Sequence, residues 1–345
     1  MKLRIATRKS ALALAQTTQA AEEIVKANAS CMGGDVSRLE YELVSMTTEG
    51  DRRLDKSLSS FGGKGVFIKE LEVALLEGRA DIAVHSLKDM PAEVLPQFKL
   101  AAVLKREDPR DAFLARGGAS GVSFMELPKG AKVGTGSIRR VVQLKALRPD
   151  LEYEPIRGNI QTRIGKLSEL DGIVLAAAGL NRMGLADLVT HYFDTDQMLP
   201  ASGQGILAVE TLRESAGRKA PSGESAAASS DCMCLDEILA KVNHLKTYCA
   251  AVAEMSYLKA LNAGCQFPVA SFAEFEKATE EENCWFKIRG IYFDEISQKL
   301  LKARYEILLS NKIIDEASRD EKAREELLKI SREAGVQLAK DVVSS

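Results

Sequence analysis

Histidine is nearly absent from these 345 residues: only His85, His191 and His244 occur, far apart in the chain. Cysteine is scarce too, with six residues (Cys31, Cys232, Cys234, Cys249, Cys265, Cys284) and no CxxC pair. Cys232-Met233-Cys234 is too tight for the usual zinc spacing, so no metal site is expected. No run of about 18 apolar residues occurs, which leaves no membrane-span candidate. The opening stretch, MKLRIATRKSALALAQ, turns polar at Gln16-Thr17-Thr18-Gln19, a poor secretory core. A cytoplasmic protein with free thiols is therefore expected. An excess of one charge sign is also missing, the formal net charge being -2. That argues against a general nucleic-acid binder, and any anion site must come from local clusters of Arg and Lys. Neither GxxxxGK(S/T) nor GxGxxG after a strand is present, which excludes the common nucleotide-using classes.

What is present is an ordinary globular balance, 46% hydrophobic and 28% charged, in a chain long enough for two or three domains. Strand-like and helix-like runs alternate through the first 210 residues. Leu3–Thr7, Tyr41–Met46 and Asp81–Val84 read as strands, Ala11–Val25 and Phe67–Glu77 as helices. The rhythm resumes with strands at Lys132–Gly134, Glu152–Ile156 and Gly172–Ala176 and helices at Ile138–Leu147 and Ile160–Leu167. Such alternation implies parallel-rich sheets covered by helices, hence two α/β lobes with boundaries near 105–112 and 198–206. Residues 203–209 read as a strand that could return the chain to the first lobe. Residues 213–231 (RESAGRKAPSGESAAASSD) are a low-complexity stretch unable to bury much apolar surface, read as a mobile insertion. Beyond it, helix over 235–261, three strands (Val269–Phe275, Cys284–Phe293, Lys302–Leu309) and a long helix from about Ile314 to Val342 suggest a small α+β domain.

The arginines carry the first chemical signal. Arg8, Arg139, Arg140, Arg157, Arg163 and Arg182 fall at or just past expected strand ends, the edge where open α/β sheets bind ligands. Gly134-Thr135-Gly136-Ser137 before Ile138-Arg139-Arg140 offers backbone N–H groups at a helix start plus two guanidinium forks, suited to carboxylate or phosphate. Each arginine alone could be a solvated surface charge; several on one rim imply a ligand with several anionic groups. Gly62-Gly63-Lys64-Gly65 reads as a flexible loop whose Lys64 could meet an anion on closure. Lys88-Asp89 follows an apolar strand, so Asp89 is either a turn-capping residue or an ion-paired carboxylate able to steady a developing cation. Cys265 sits on a Gly-flanked loop where a thiol is accessible, whereas Cys31, Cys249 and Cys284 fit buried positions better. His85 reads as an interior histidine without a chemical role.

Taken in order, RIATRKSALALAQ, GGKGVFIKELEVALLEGRADIAVHSLKDMP, KREDPRDAF, GTGSIRR, IRGNIQTR, LAAAGLNRMG, LPASGQG and GCQFPV resemble the porphobilinogen deaminase family. The resemblance covers most of residues 3–210 and the loop around Cys265. It implies two lobes like those of periplasmic binding proteins plus a small α+β C-terminal domain. Its domains would be 1–106 with 203–232, then 107–202, then 235–345. It implies a transferase that condenses four porphobilinogens, with loss of ammonia, onto a dipyrromethane cofactor joined to Cys265, and then releases hydroxymethylbilane, the linear tetrapyrrole of heme biosynthesis. Asp89 would be the catalytic carboxylate. Ser86, Lys88, Thr135, Ser137, Arg139, Arg140 and Asn159 would serve the cofactor. Arg8, Ser10, Gln16, Lys64, Phe67, Arg157, Arg163 and Arg182 would serve the substrate, with 59–65 as a lid. A monomer is implied, with no nucleic acid or membrane partner. The chain departs from the family at Glu254-Met255 (usually Glu-Arg), Ala263 (usually Gly), Ser60 (usually Lys) and the 213–234 insertion. The alternative left by the residues alone is a non-catalytic, two-lobed protein that binds a small polyanion.

Overall fold

The computed structural model describes residues 2–29, 39–48, 68–213, 234–264, 267–294 and 296–345. Its first lobe is built on β1 (Lys2–Arg8), β2 (Glu40–Met46), β3 (Ile82–Ser86), β4 (Phe98–Val103) and β10 (Leu207–Leu212) in the order β2-β1-β3-β10-β4. β1 runs parallel to both β2 and β3, whereas β10 enters antiparallel between β3 and β4. Strands buried on both faces read as continuous apolar runs. Ile82, Ala83 and Val84 in β3 and Leu207, Ala208 and Val209 in β10 are such runs, all buried. Helix α1 (Ala11–Asn28) starts where the Ser10 hydroxyl accepts the Ala13 N–H. It lays Ala20, Ala21 and Ile24 onto Leu3 and Ile5. Helix α2 (Lys69–Leu76) packs Leu71, Ala74 and Leu75 on the sheet's other face against Ala6 and Ala83.

The second lobe repeats this plan with β5 (Asp111–Ala115), β6 (Lys132–Gly134), β7 (Glu152–Glu154), β8 (Gly172–Ala176) and β9 (His191–Phe193) in the order β7-β6-β8-β5-β9. Here β5 is the antiparallel insertion, between β8 and β9. Each lobe therefore receives one strand that has just crossed from the other, through residues 104–110 and 199–206. Helices α3 (Ile138–Leu147), α4 (Ile160–Gly165) and α5 (Ala177–Arg182) complete it.

Helix α6 (Leu235–Ala240) follows, and then α7 (Leu245–Ala260) begins the third unit. Strands β11 (Val269–Lys277), β12 (Asn283–Asp294) and β13 (Lys299–Ser310) form an antiparallel meander. Helices α7 and α9 (Glu321–Val343) cross over it, with α8 (Asn311–Arg319) between β13 and α9. The crossing is close because its contact is Gly335: a Cβ there would stand 2.1 Å from the Ala253 carbonyl oxygen. Tyr257, wholly buried, donates its hydroxyl to the Ile291 carbonyl at 2.8 Å.

Two expected helices are each divided in two. The 235–261 run breaks at Asn243-His244, where the His244 ring accepts the Thr247 N–H and starts α7. Its first part, expected to open the third unit at 235, instead seals the first lobe. Ile238 and Leu239 join the Leu3–Ile5 cluster, and Asn28 donates to the Ile238 carbonyl at 3.1 Å. The final helix breaks at Asp320, whose carboxylate caps α9 by accepting the Ala323 N–H at 2.7 Å. Strands β4, β5 and β9 were not anticipated. Cys249 and Cys284 are buried. Cys31 and the expected mobile insertion (213–231, save Arg213) lie outside the described residues.

Candidate active site

The end of β3 runs into one tight turn, Leu87–Asp89, held by the Leu87 N–H donating to the Ile206 carbonyl at 3.0 Å. The second crossing passes so near this turn that residue 203 must be glycine. Gly203 has φ +75°, and a Cβ on it would stand 2.8 Å from Leu87 Cγ and 2.9 Å from the Lys88 nitrogen. The turn aims Lys88 and Asp89 into a cavity of about 180 Å³. Arg139 and Arg140 line it from the first turn of α3, Arg163 from α4, and Ser137 from the residue preceding α3. The second crossing adds Ala201, Ser202 and Gln204, and the third unit adds Leu258, Gly264, Phe267 and Val269. One side is thus cationic and another apolar.

The charges do not balance. Among the described residues, Lys88, Arg139, Arg140 and Arg163 face Asp89 as the one carboxylate lining the cavity, with Asp111 buried behind the arginines. Asp111 accepts from Arg139 Nη1 at 2.7 Å and from Arg140 Nε at 2.9 Å. Burial alone would raise its carboxyl; Arg139 and then Arg140 instead hold it well below the usual carboxylate range. Burial pushes Lys88 down to about 8, with Arg140 and Arg139 adding to the fall and Asp89 and Asp111 resisting it. Arg140 and Arg163 are pushed down by burial as well. Burial is the main cause of the Lys88 fall, and the two arginines add to it while the carboxylates oppose it. Arg139 Nε, buried, has no hydrogen-bond partner among the described residues. These donors and the two surplus positive charges fit a bound polycarboxylate.

Other anticipated residues hold structural posts nearby. Ser86 and Gln16 hydrogen-bond each other at 2.9 Å. Thr135 is buried, its hydroxyl accepting the Ser137 N–H at 3.4 Å. Asn159 caps α4 by accepting the Thr162 N–H at 2.8 Å. Ser10 caps α1, and Arg8 ends β1 half-buried. Arg157 is exposed on the loop after β7. Arg182 turns to the lobe junction, donating to Gln19 Oε1 at 3.1 Å and the Gly205 carbonyl at 2.9 Å. None of these eight lines the cavity. Lys64, Phe67 and Cys265 lie outside the described residues, though Gly264 and Phe267, on either side of Cys265-Gln266, are cavity residues.

A model of the family described as porphobilinogen deaminase, dipyromethane cofactor binding domain, matches residues 3–219. The chain belongs to the porphobilinogen deaminase family. The porphobilinogen deaminase of Clostridium kluyveri is 43% identical over 304 residues, 88% of this chain and 92% of that protein. That of Syntrophus aciditrophicus is 45% identical over 276 residues, 79% and 80% of the two chains. Among solved structures, a periplasmic sulfonate-binding protein from Methylobacillus flagellatus aligns with a TM-score of 0.36 and 12% identity over 75% of this chain and 69% of that one. The two-lobed reading of this deaminase-family chain rests on its strand order instead. Dipyrromethane is the family's cofactor, and its carboxylate side chains suit the cationic wall described above.

Sequence reasoning missed the residues that join the three units. Glu254 on α7 is wholly buried and outside the cavity. It accepts from Arg106 at 2.6 Å and from the N–H groups of Gly203 at 2.5 Å and Ala273 at 2.8 Å. Met255, standing where the family usually has Arg, packs into the apolar clusters on either side. Gln204 donates to Asp111 at 3.0 Å and to the Pro109 carbonyl at 2.7 Å, linking the two crossings. Its one sequence signal was a polar residue between two glycines.

Proposed function

We propose that this chain is a transferase acting on porphobilinogen, joining four units in succession on a dipyrromethane anchored at Cys265, with loss of ammonia, and releasing hydroxymethylbilane. The observation that carries the reading is Asp89 set beside Lys88 in a cavity walled by Arg139, Arg140 and Arg163. Porphobilinogen bears an acetate and a propionate, so each unit brings two carboxylates for the guanidinium forks and the Lys88 ammonium to hold. When bound, the dipyrromethane supplies the pyrrole carbon at which the chain grows. Asp89 accepts the substrate's pyrrole N–H in this reading, which orients the ring. As ammonia departs, the substrate becomes a cation, and the Asp89 carboxylate stabilises it more than it stabilises the neutral ring. The same carboxylate can receive the proton displaced when the new carbon–carbon bond forms. Leu258, Phe267 and Val269 give the cavity an apolar side against which a pyrrole ring can lie.

We also read the chain as a cytoplasmic monomer; separately, no helix among the described residues is long and apolar enough to cross a membrane. The test is the intact mass of natively purified protein beside a Cys265→Ser variant. The native chain should carry the added mass of two linked pyrroles and the variant none. Asp89→Ala should fold normally and lose turnover. A native chain that stays at its bare mass after incubation with porphobilinogen, or an Asp89→Ala enzyme of near-normal rate, would overturn the reading.

A further inference from the structure

Asp111 opens β5 directly after the first crossing and is wholly buried. Its Oδ2 accepts from Arg139 Nη1 at 2.7 Å. Its Oδ1 accepts from Arg140 Nε at 2.9 Å and from Gln204 Nε2 at 3.0 Å, and is ion-paired with Arg140 Nη2 at 2.8 Å. The arginines meet the cavity, while the carboxylate stands behind them. Burying such an ion cluster is expensive, and apolar replacements of similar volume often serve stability equally well. Stability is therefore a weak reason for this arrangement. Two other effects follow from it directly. One carboxylate shared by two guanidiniums fixes the plane of each fork. It also sets the charge: among the described residues, Lys88, Arg139, Arg140 and Arg163 less Asp89 and Asp111 leave two positive charges, against three without Asp111.

We propose that Asp111 is a positioning residue of the anion site, aligning the Arg139 and Arg140 guanidiniums and holding the surplus positive charge of the cavity at two. The proposal rests on the reading of this cavity as the porphobilinogen site. Too small a surplus would leave substrate carboxylates unheld; too large a surplus would retain a polyanionic product. Lys88 reports the balance. It shares the cavity with Asp89 beside it and Arg139, Arg140 and Arg163 on the second lobe, with Asp111 behind. Among the described residues, loss of the Asp111 charge leaves Asp89 as the one carboxylate favouring the Lys88 ammonium against the Arg139 and Arg140 guanidiniums.

The experiment is the pH dependence of acetic anhydride labelling at Lys88, read by peptide mass spectrometry on protein as purified. Asp111→Asn should lower the labelling midpoint by about one pH unit, the size expected for one charge at an effective dielectric of ~20–40. Asp111→Glu, which restores the charge, should return it to within about 0.3 of the unaltered protein. Should Asp111→Asn fail to fold, Asp111→Asn/Arg139→Gln removes one charge of each sign and should keep the original midpoint. An Asp111→Asn midpoint equal to that of the unaltered protein, or a shift of a unit or more in the balanced double variant, would overturn the proposal. Porphobilinogen turnover of the unaltered protein is measured separately. Its absence would count against the site reading, while the labelling result still decides the charge-setting role.

Discussion

Glu254→Gln is the change from which the joint between the units can be measured. The carboxylate accepts four hydrogen bonds: Arg106 Nη1 at 2.6 Å and Nη2 at 3.2 Å, Gly203 N–H at 2.5 Å and Ala273 N–H at 2.8 Å. These donors come from the first crossing, the second crossing and β11. A glutamine of the same shape offers one carbonyl where two oxygens stood. Its amide nitrogen would point a donor at donors. The Arg106 side chain, 12% exposed, would lose its counter-charge and keep only the Gln204 carbonyl, the Ala273 carbonyl and the Phe272 ring 4.6 Å away.

Removing one partner of a buried pair costs about 3–5 kcal/mol. That is a large share of the roughly 5–15 kcal/mol typical of native stability. At about 2 °C per kcal/mol for a large chain, the transition should fall by roughly 6–10 °C. Scanning calorimetry gives the shift, and a cycle with Arg106→Gln and the double variant gives the pair's own share. The coupling should reach about 2 kcal/mol, since the double variant leaves no charge stranded. A loss below about 1 kcal/mol with no coupling would mean that the third unit is held by apolar packing alone, and the argument from Glu254 would fail.

Three other outcomes follow from the site. Lys88, ordinarily near 10.5, sits at about 8 in the folded protein, so burying its charge costs stability in full below pH 8. That cost, about 3 kcal/mol at ~1.4 kcal/mol per unit, is relieved as pH rises from 8 towards 10.5, and Lys88→Met should flatten this rise in urea titrations at successive pH values. A bound carboxylate favours the ammonium, so KM for porphobilinogen should climb above pH 8 by up to tenfold per unit; a KM flat from pH 7.5 to 9.5 would exclude Lys88 as an anion contact. Gly203→Ala meets both a left-handed backbone and contacts under 3 Å to Leu87 and Lys88. A loss of about 2–4 kcal/mol is expected, with a lowered kcat because the Lys88–Asp89 turn must shift, and a variant as stable and active as the parent would refute the close-approach argument.

Much of this was legible where the signal is local. β1, α1, β6 and α3 lie close to where hydrophobic spacing and caps put them, because each buries a face whose period the sequence spells out. The Lys88-Asp89 turn was legible because it comes soon after the apolar run Ile82-Ala83-Val84 of β3. β5 and β9 were not, since β5 is placed by antiparallel pairing with β8 and β9 far along the chain, which no local pattern shows. The division among the arginines was hidden for the same reason. All six share a rim in the sequence pattern, yet only Arg139, Arg140 and Arg163 line the cavity, while Arg182 is turned onto Gln19 and Gly205. What decides is where the compensating carboxylates and carbonyls lie, and these come from the crossings. Asp111 lies 28 and 29 residues from the arginines it orients, and Arg106 lies 148 from Glu254. A two-lobed enzyme needs cations both to hold a polyanion and to fasten its lobes, and local sequence gives the two groups one signature. The partner that distinguishes them arrives only when the chain has crossed between the lobes and back.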